Sequence, residues 1–432
     1  MRWTDQQNEA LRRVSEWIRD PDAPQLFRLF GFAGTGKTTL AKHLAEDVDG
    51  PVIFCAYTGK AALVLRQKGC PNPTTIHKLI YIPKDKSQKR AAELEAEIAK
   101  IKSTGTGSWV ARSVQGRFES FEDAKAAAAE GDTPYQLGTQ HLEQLRDALA
   151  GEKKQLKRPA FSINEESPAR DAALIVVDEC SMVGERVGVD LMSFGRKVLV
   201  LGDPAQLPPV GDEGFFIKDK PHFLLTDIQR QARDNPIIEM ATRIRNQDRL
   251  MLGTYGESSV IRRADLSKEM ALAADQILVG RNATRFNYNT RMRELAGIGS
   301  LDPVEGDKLV CLSNNHEIGI LNGAIYWAEG VTAESEHDPT LKLRIREDGG
   351  ERRFDIEKAH RCIFQGEEPP YWERKEADQF DFGYAITVHK SQGSQWAHPL
   401  IINESGCFRQ DWWKWLYTAV TRASDRVTVV NV

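Results

Sequence analysis

The sequence predicts an α/β protein in which parallel sheets, covered by helices, form two domains. Three observations carry this. A glycine-rich turn, Gly31-Phe32-Ala33-Gly34-Thr35-Gly36-Lys37-Thr38, sits between a short apolar run (Gln25 to Phe30) and a stretch with helical spacing (Thr39 to Glu46). Apolar runs of strand length recur at Pro51 to Tyr57, Ala173 to Val177 and Lys197 to Leu201, each ending in polar or acidic residues. The alternation of strand and helix then starts afresh beyond Leu225, with strand Gln276 to Gly280, helix Arg285 to Leu295 and strands Pro399 to Asn403 and Arg426 to Val432. Uninterrupted apolar strands separated by helices suit a parallel sheet covered on both faces.

The 432 residues suffice for two or more domains with real cores. Apolar residues make up 41% and charged residues 28%, the balance of a soluble globular chain. A net charge of −4 excludes a global basic field, so nucleic acid would need a local groove. Cys55, Cys70, Cys180, Cys311, Cys362 and Cys407 are scattered without a CxxC pair, which points to reduced thiols and away from zinc. The start Met1-Arg2-Trp3-Thr4-Asp5-Gln6-Gln7 does not read as a signal peptide, and no apolar run has bilayer length. The expected location is cytoplasmic.

In chain order, Thr4 to Ile18 reads as an amphipathic helix with Thr4 as N-cap and Leu11, Val14, Trp17 and Ile18 on one face. Gln7 is expected on the opposite side, with an amide able to meet both edges of adenine. The turn that follows is a phosphate-binding loop. Its glycines let backbone N–H groups approach a phosphate, and the helix N-terminus adds unpaired N–H groups. Lys37 reaches the β- and γ-phosphates and Thr38 holds Mg²⁺, so a nucleoside triphosphate is the expected ligand.

The strand Pro51 to Tyr57 runs into Thr58-Gly59-Lys60-Ala61-Ala62, and Thr74-Thr75-Ile76-His77-Lys78-Leu79 follows. At the carboxyl ends of strands these groups can face an anionic chain; locally they are as readily caps and solvated charges. Ile82 to Arg170 changes character. Lys84 to Lys102 is a charged Ala- and Glu-rich helical run, Ser103 to Ser108 a flexible break, and helices return at Glu122 to Glu130 and Leu142 to Leu156. This reads as an insertion with a modest core.

The strand from Ala173 ends in Asp178-Glu179. Asp178 would hold Mg²⁺ with Thr38, and Glu179 would orient and activate water, which favours transfer to water over transfer to a small-molecule hydroxyl. Gln206 follows the strand Lys197 to Leu201, where a polar side chain can feel the γ-phosphate, and Leu207-Pro208-Pro209-Val210 is stiff. Val304 to Phe364 holds short β-type runs broken by Gly, Asn and Asp, so a small barrel inserted in the second domain is expected. Trp412, Trp413 and Trp415 stand at helical spacing, which suits core packing better than base stacking.

Taken in order, these motifs resemble those of superfamily 1B DNA helicases. They are similar to the RecD family, and closest in layout to small phage Dda-type enzymes. The resemblance runs through Thr4-x-x-Gln7, Gly31 to Thr38, Thr58 to Ala62 with Thr75-Ile76-His77, Val177 to Met182, Gly202 to Val210, Leu225 to Pro236, Tyr384 to Ser394 and Leu416 to Ala423. It implies two RecA-like domains, at 1–81 with 171–224 and at 225–303 with 373–432. It also implies a mainly helical insertion at 82–170 in the place of the duplex-splitting wedge, and an SH3-like insertion at 304–372. Gln7 becomes the adenine reader, and Gly34, Thr35, Gly36, Lys37, Thr38, Thr39 and Gly393 the other nucleotide contacts. Gln206 couples γ-phosphate to DNA, and Arg230 and Arg422 become arginine fingers. Thr58, Lys60, Thr75, His77, Lys78, Thr387, His389 and Lys390 match motifs that touch the DNA strand. Gln395 stands where relatives often carry Glu.

The resemblance thus implies ATP and Mg²⁺ as cofactors, 5′-to-3′ movement on single-stranded DNA, action at single-strand/duplex junctions, a monomer, and partners in replication or repair. A strand translocase with little unwinding shares the same motifs. A phosphate-loop kinase for a small molecule is the reading from another class, and Glu179 and the two candidate arginines weigh against it.

Overall fold

The computed structural model describes the chain except residues 1–2, 47, 84–92, 97, 100–108, 112, 115–117, 137–144, 151–160, 210, 228–234, 316–317, 336, 371–372 and 375. It divides into two compact units, Met1–Ile80 with Asn164–Val432, and Tyr81–Ile163.

The larger unit holds two parallel sheets. The first runs, in spatial order, Phe223–Leu225, Leu26–Gly31, Val198–Gly202, Leu174–Asp178, Val52–Ala56 and Thr74–Thr75, with every pair parallel. Leu174–Asp178 and Val198–Gly202 are buried at every position, as their unbroken apolar sequence requires of strands covered on both faces. Helix Asp5–Arg19 packs on this sheet. Thr4 and Gln7 form a capping box at its start, and Gln7, Ala10, Val14 and Trp17 form its buried stripe. Gln7 therefore lies on the core side and not opposite it, because positions 7, 10, 14 and 17 share one helical face.

The second sheet runs Gly253–Tyr255, Ser258–Arg262, Thr428–Asn431, Pro399–Asn403, Gln276–Val279 and Ala385–Thr387. It is parallel apart from the Gly253–Tyr255 hairpin partner. Helix Trp412–Val420 crosses it with Trp415, Leu416, Tyr417, Ala419 and Val420 buried. The expected core placement of the tryptophans holds for Trp415, which is fully buried. Ala205 and Leu207, from the loop after Val198–Gly202, join this second core.

Five antiparallel strands form a third sheet in the order Arg353–His360, Thr340–Glu347, Ile325–Thr332, Lys308–Cys311 and Phe380–Phe382. The last strand lies beyond the stretch expected to form the insertion. The sheet curls, and its two ends meet where Asp378 N donates to Lys358 O (2.8 Å) and His360 N donates to Asp378 O (3.0 Å).

The smaller unit contains two short ribbons, Tyr81–Pro83 with Phe161–Ile163 and Trp109–Val110 with Tyr135–Gln136, and helix Phe121–Ala127. Leu94, Ile98 and Leu145 form a small core. The Ser103 to Ser108 break and most of the expected helices at Lys84 to Lys102 and Leu142 to Leu156 lie outside the described residues.

Candidate active site

Strand Leu26–Gly31 carries the glycine-rich turn to the carboxyl edge of the first sheet. Gly34 and Gly36 have φ of +80° and +82°, backbone that costs a residue with a Cβ roughly 1–2 kcal/mol. Gly36 caps helix Lys37–Ala41. Thr35 is fully buried, and its hydroxyl donates to Phe32 O at 2.8 Å, closing the turn. A Cβ on Gly31 would lie 2.6 Å from Thr35 Oγ1 and 2.8 Å from Leu225 Cβ, so this position admits only glycine without rearrangement. The Lys37 ammonium donates to Gly31 O (2.6 Å) and Phe32 O (3.1 Å) and stands 4.0 Å from Asp203 Oδ2. Gln7 donates from Nε2 to Thr35 O (3.0 Å) and accepts from Thr4 N (3.0 Å), so its amide braces the loop from below. Thr39 lies in the first turn of the helix, partly buried.

Asp178 ends the adjacent buried strand. The Thr38 hydroxyl bonds its carboxylate, and Glu179 N donates to Oδ1 at 2.9 Å. Burial first, and then the Glu179 charge, push the Asp178 carboxyl upward. A cation at this point relieves both penalties, and hydroxyl with carboxylate is oxygen chemistry that suits Mg²⁺ shared with phosphates. Among the described residues no group of three or more His, Cys, Asp or Glu side chains is placed to hold a metal alone. Glu179 has φ +52° and ψ +44°, a left-handed conformation in a non-glycine residue of the kind that collects at functional positions.

The second domain closes over this edge. Gln392 Nε2 donates to Leu207 O (2.9 Å), and Leu207 N donates to Thr418 Oγ1 (2.9 Å). These bonds staple the Gln206-bearing loop to the second domain. Gln206 is 5% exposed, and its Oε1 meets no donor among the described residues. Arg422 lies just past the end of helix Trp412–Val420. Its guanidinium donates to Thr418 O (3.1 Å), Ser394 O (3.3 Å) and Thr421 Oγ1 (3.3 Å), all neutral acceptors. A buried guanidinium without a carboxylate partner among the described residues suits an anionic ligand. Arg230 lies outside the described residues.

Thr58, Thr75 and Thr387 sit at or just past the carboxyl ends of their strands. Their hydroxyls accept from Ala61 N (3.2 Å), Lys78 N (3.2 Å) and Lys390 N (3.4 Å). Gly393, at φ +76°, packs against Thr58, so the two domains meet there. Burial lowers the pKa of Lys60, His77, His389 and Lys390. Lys60 lies 5.3 Å from the Trp396 ring, while Lys78 is exposed. His389 lines a cavity of about 620 Å³ with Leu207, Pro208, Pro209 and Phe408, rimmed by Glu185, Asp212, Glu213 and Asp411.

A family model described as an AAA domain matches residues 2–266, more than half of the chain. The chain belongs to that family. A second model, the UvrD-like helicase C-terminal domain, matches residues 382–430. The ATP-dependent RecD2 DNA helicase of Deinococcus radiodurans is 29% identical over 279 residues, covering 59% of this chain and 35% of that protein. An uncharacterized protein of Acanthamoeba polyphaga mimivirus is 28% identical over 255 residues, covering 52% of this chain and 38% of that protein. The chain thus spans little more than a third of the length of these curated relatives. Among solved structures, the Pif1 helicases described unwinding forked duplex DNA match 99% of this chain and 92% of theirs, at 18% identity and TM-score 0.52. Bacteroides Pif1 bound to single-stranded DNA matches the same shares at 17% identity and TM-score 0.50. At these identities the likeness to the solved structures is one of fold.

Within this AAA-family site, sequence reasoning missed three groups. Tyr417 and Asp203 are hydrogen-bonded at 2.7 Å although 214 positions apart, and the Arg245 guanidinium lies 3.9 Å from the Phe32 ring centre. One signal was available for Tyr417: a tyrosine inside an apolar helical stripe has to find a partner for its hydroxyl.

Proposed function

We propose that the chain is an ATP-dependent DNA helicase that moves 5′ to 3′ on single-stranded DNA and separates duplex. The observation that carries this is one junction. There the Gln206 loop of the first sheet is bonded through Leu207 to the Gln392 and Thr418 segments of the second, and the phosphate loop through Ala33 to Tyr417, at the same sheet edge as the Asp178–Glu179 pair. The names of its relatives, an ATP-dependent DNA helicase and Pif1 proteins with single-stranded or forked DNA, support the same reading.

In this reading the loop amides and Lys37 hold the phosphates, and Gln7 and Gly393 border the nucleotide. Thr38 and Asp178 hold Mg²⁺, which neutralises phosphate charge when bound. Glu179 takes a proton from water as its oxygen bonds the γ-phosphorus and the bond to the bridging oxygen breaks, leaving ADP and phosphate. Arg422 and Arg230 stabilise the charge that develops. Loss of the γ-phosphate removes what draws the two domains together, and alternating grip then ratchets the strand. Thr58, Lys60, Thr75, His77, Lys78, Thr387, His389 and Lys390 supply the grip, largely on phosphates and so with little sequence preference.

The domain plan follows the same lines: RecA-like domains at 1–81 with 171–224 and at 225–303 with 373–432. The helical wedge is at 82–170, and an SH3-like insertion at 304–372 borrows Phe380–Phe382 as its last strand. The chain acts as a monomer at junctions, in a cytoplasmic setting, alongside replication or repair proteins.

The test is ATP–Mg²⁺-driven strand separation on partial duplexes with either a 5′ or a 3′ single-stranded tail. Separation of only the 5′-tailed substrate is expected. Separation from the 3′ tail overturns the polarity. DNA-stimulated hydrolysis without separation of either substrate overturns unwinding and leaves a translocase.

A further inference from the structure

We propose that a clamp from the second domain, Tyr417 with Arg245, positions the phosphate loop, so that Lys37 reaches its working place only when the two domains are docked. This rests on the nucleotide-hydrolysis reading above. The Tyr417 hydroxyl is the centre of the clamp. It accepts from Ala33 N, on the phosphate loop, at 2.9 Å and donates to Asp203 Oδ2 at 2.7 Å. Asp203 is 1% exposed, and its other oxygen accepts from Ala205 N at 3.0 Å. Its Oδ2 lies 4.0 Å from the Lys37 ammonium, so one buried carboxylate joins the second-domain hydroxyl to the loop lysine.

Beside it, the Arg245 guanidinium stacks 3.9 Å from the centre of the Phe32 ring and has no carboxylate partner among the described residues. Phe32, Ala33 and Lys37 are thus each reached from the second domain, directly or through Asp203. Helices Pro236–Arg245 and Trp412–Val420, which carry the two clamp residues, are packed together in one apolar cluster. Any rotation of the second domain is therefore transmitted to the loop backbone and, through Asp203, to the lysine. Tyr417 touches no reacting atom in this scheme; it is a positioning residue.

The experiment compares the full chain with Tyr417→Phe, Asp203→Asn and the double variant. The readouts are single-strand-stimulated ATP hydrolysis, fluorescent-nucleotide affinity and melting temperature. Tyr417→Phe keeps the ring and removes only the bridge. Its kcat should fall about tenfold or more, while KM and nucleotide affinity stay within about threefold. The double variant should be no slower than the slower single variant, because groups in one chain of bonds are not additive. A Tyr417→Phe kcat equal to that of an active wild type overturns the proposal, and so do losses that multiply. If Tyr417→Phe melts far below wild type, Arg245→Lys decides. It keeps the charge but loses the planar stack, and the same kcat loss at unchanged KM is expected; wild-type kcat overturns the clamp. Absence of hydrolysis in the unaltered chain overturns the nucleotide reading and the clamp together, an outcome distinct from an active chain indifferent to Tyr417.

Discussion

Replacing Arg422 with alanine should separate chemistry from folding. Arg422 is 4% exposed, and its three side-chain hydrogen bonds, at 3.1, 3.3 and 3.3 Å, all go to neutral acceptors. Hydrogen bonds to charged groups contribute about 1.5–3 kcal/mol each, and these lengths place them at the lower end, roughly 4–5 kcal/mol in sum. Burying an unpaired guanidinium costs several kcal/mol after relaxation. The two terms nearly cancel, so Arg422→Ala should change stability by about 0–2 kcal/mol, a melting shift of a few degrees. Its effect on turnover should be far larger. An arginine that meets transition-state charge contributes roughly 10³- to 10⁵-fold, or about 4–7 kcal/mol of barrier. Three measurements check this: single-strand-stimulated ATP hydrolysis, binding of a fluorescent nucleotide, and thermal melting. Collapse of turnover with binding and melting nearly intact is the expected pattern. Arg422→Lys should keep the fold without restoring turnover, because an ammonium lacks the planar fork. Turnover within about tenfold of wild type would refute the reasoning. So would parallel loss of binding, turnover and melting temperature, which would make Arg422 a structural residue.

Lys37→Ala should abolish ATP hydrolysis, since the ammonium that now donates to Gly31 O and Phe32 O is the loop's own counter-charge for phosphate; near-normal turnover in a hydrolysis assay would remove the site from this loop. Gly36→Ala forces a Cβ into φ +82°, so isothermal titration should show weakened nucleotide binding, and urea unfolding a loss of about 1–2 kcal/mol. Burial lowers the pKa of His77 and His389 below 6.5, so as pH falls the unfolded chain takes up protons first. Stability should therefore decline as pH drops through about 6.5, by at most about 1.4 kcal/mol per pH unit for each histidine. His77→Gln or His389→Gln should flatten that decline in urea midpoints taken at about pH 7.5 and 5.5, and an unchanged slope would show that neither histidine is buried neutral.

What could be read in the sequence was what neighbouring residues determine together. The phosphate loop is contiguous, and its chemistry needs only a strand before it and a helix after it. The place of Asp178 at the end of a buried strand beside Thr38 was legible because an apolar run that stops at carboxylates marks the sheet's edge. Gln7 was placed on the wrong face by attending only to the large apolar residues. The stripe of Gln7, Ala10, Val14 and Trp17 puts a polar side chain among buried ones, and such a side chain has to be paired. The Tyr417–Asp203 bond joins residues 214 positions apart, and no local pattern encodes that distance. A small barrel was expected from short β-type runs broken by Gly, Asn and Asp, and one of those runs lies in Thr340–Glu347, where Leu341, Leu343 and Ile345 are buried. Its recruitment of Phe380–Phe382 was not, because a three-residue strand carries almost no periodicity.

The loop that follows Val198–Gly202 explains why this site belongs to neither domain alone. Ala205 and Leu207 are encoded with the first sheet but are buried in the second domain's core. Between them stands Gln206, with Oε1 buried and without a donor among the described residues. An apolar pair in one core and a polar residue between them cannot all be satisfied if the domains part by much. Separation exposes Leu207 and breaks its bonds to Thr418 and Gln392, whereas docking desolvates Gln206. Each state therefore carries a cost that the other lacks, the condition for an element with two arrangements and a small gap between them. On the proposed reading, a ligand at the phosphate loop that reaches Gln206 offsets the cost of docking, and a strand held beside His389 would act on the same loop, since Leu207 and His389 line one cavity. On that reading, coupling between nucleotide and nucleic acid needs no long relay, because both would act on the segment from Asp203 to Pro209.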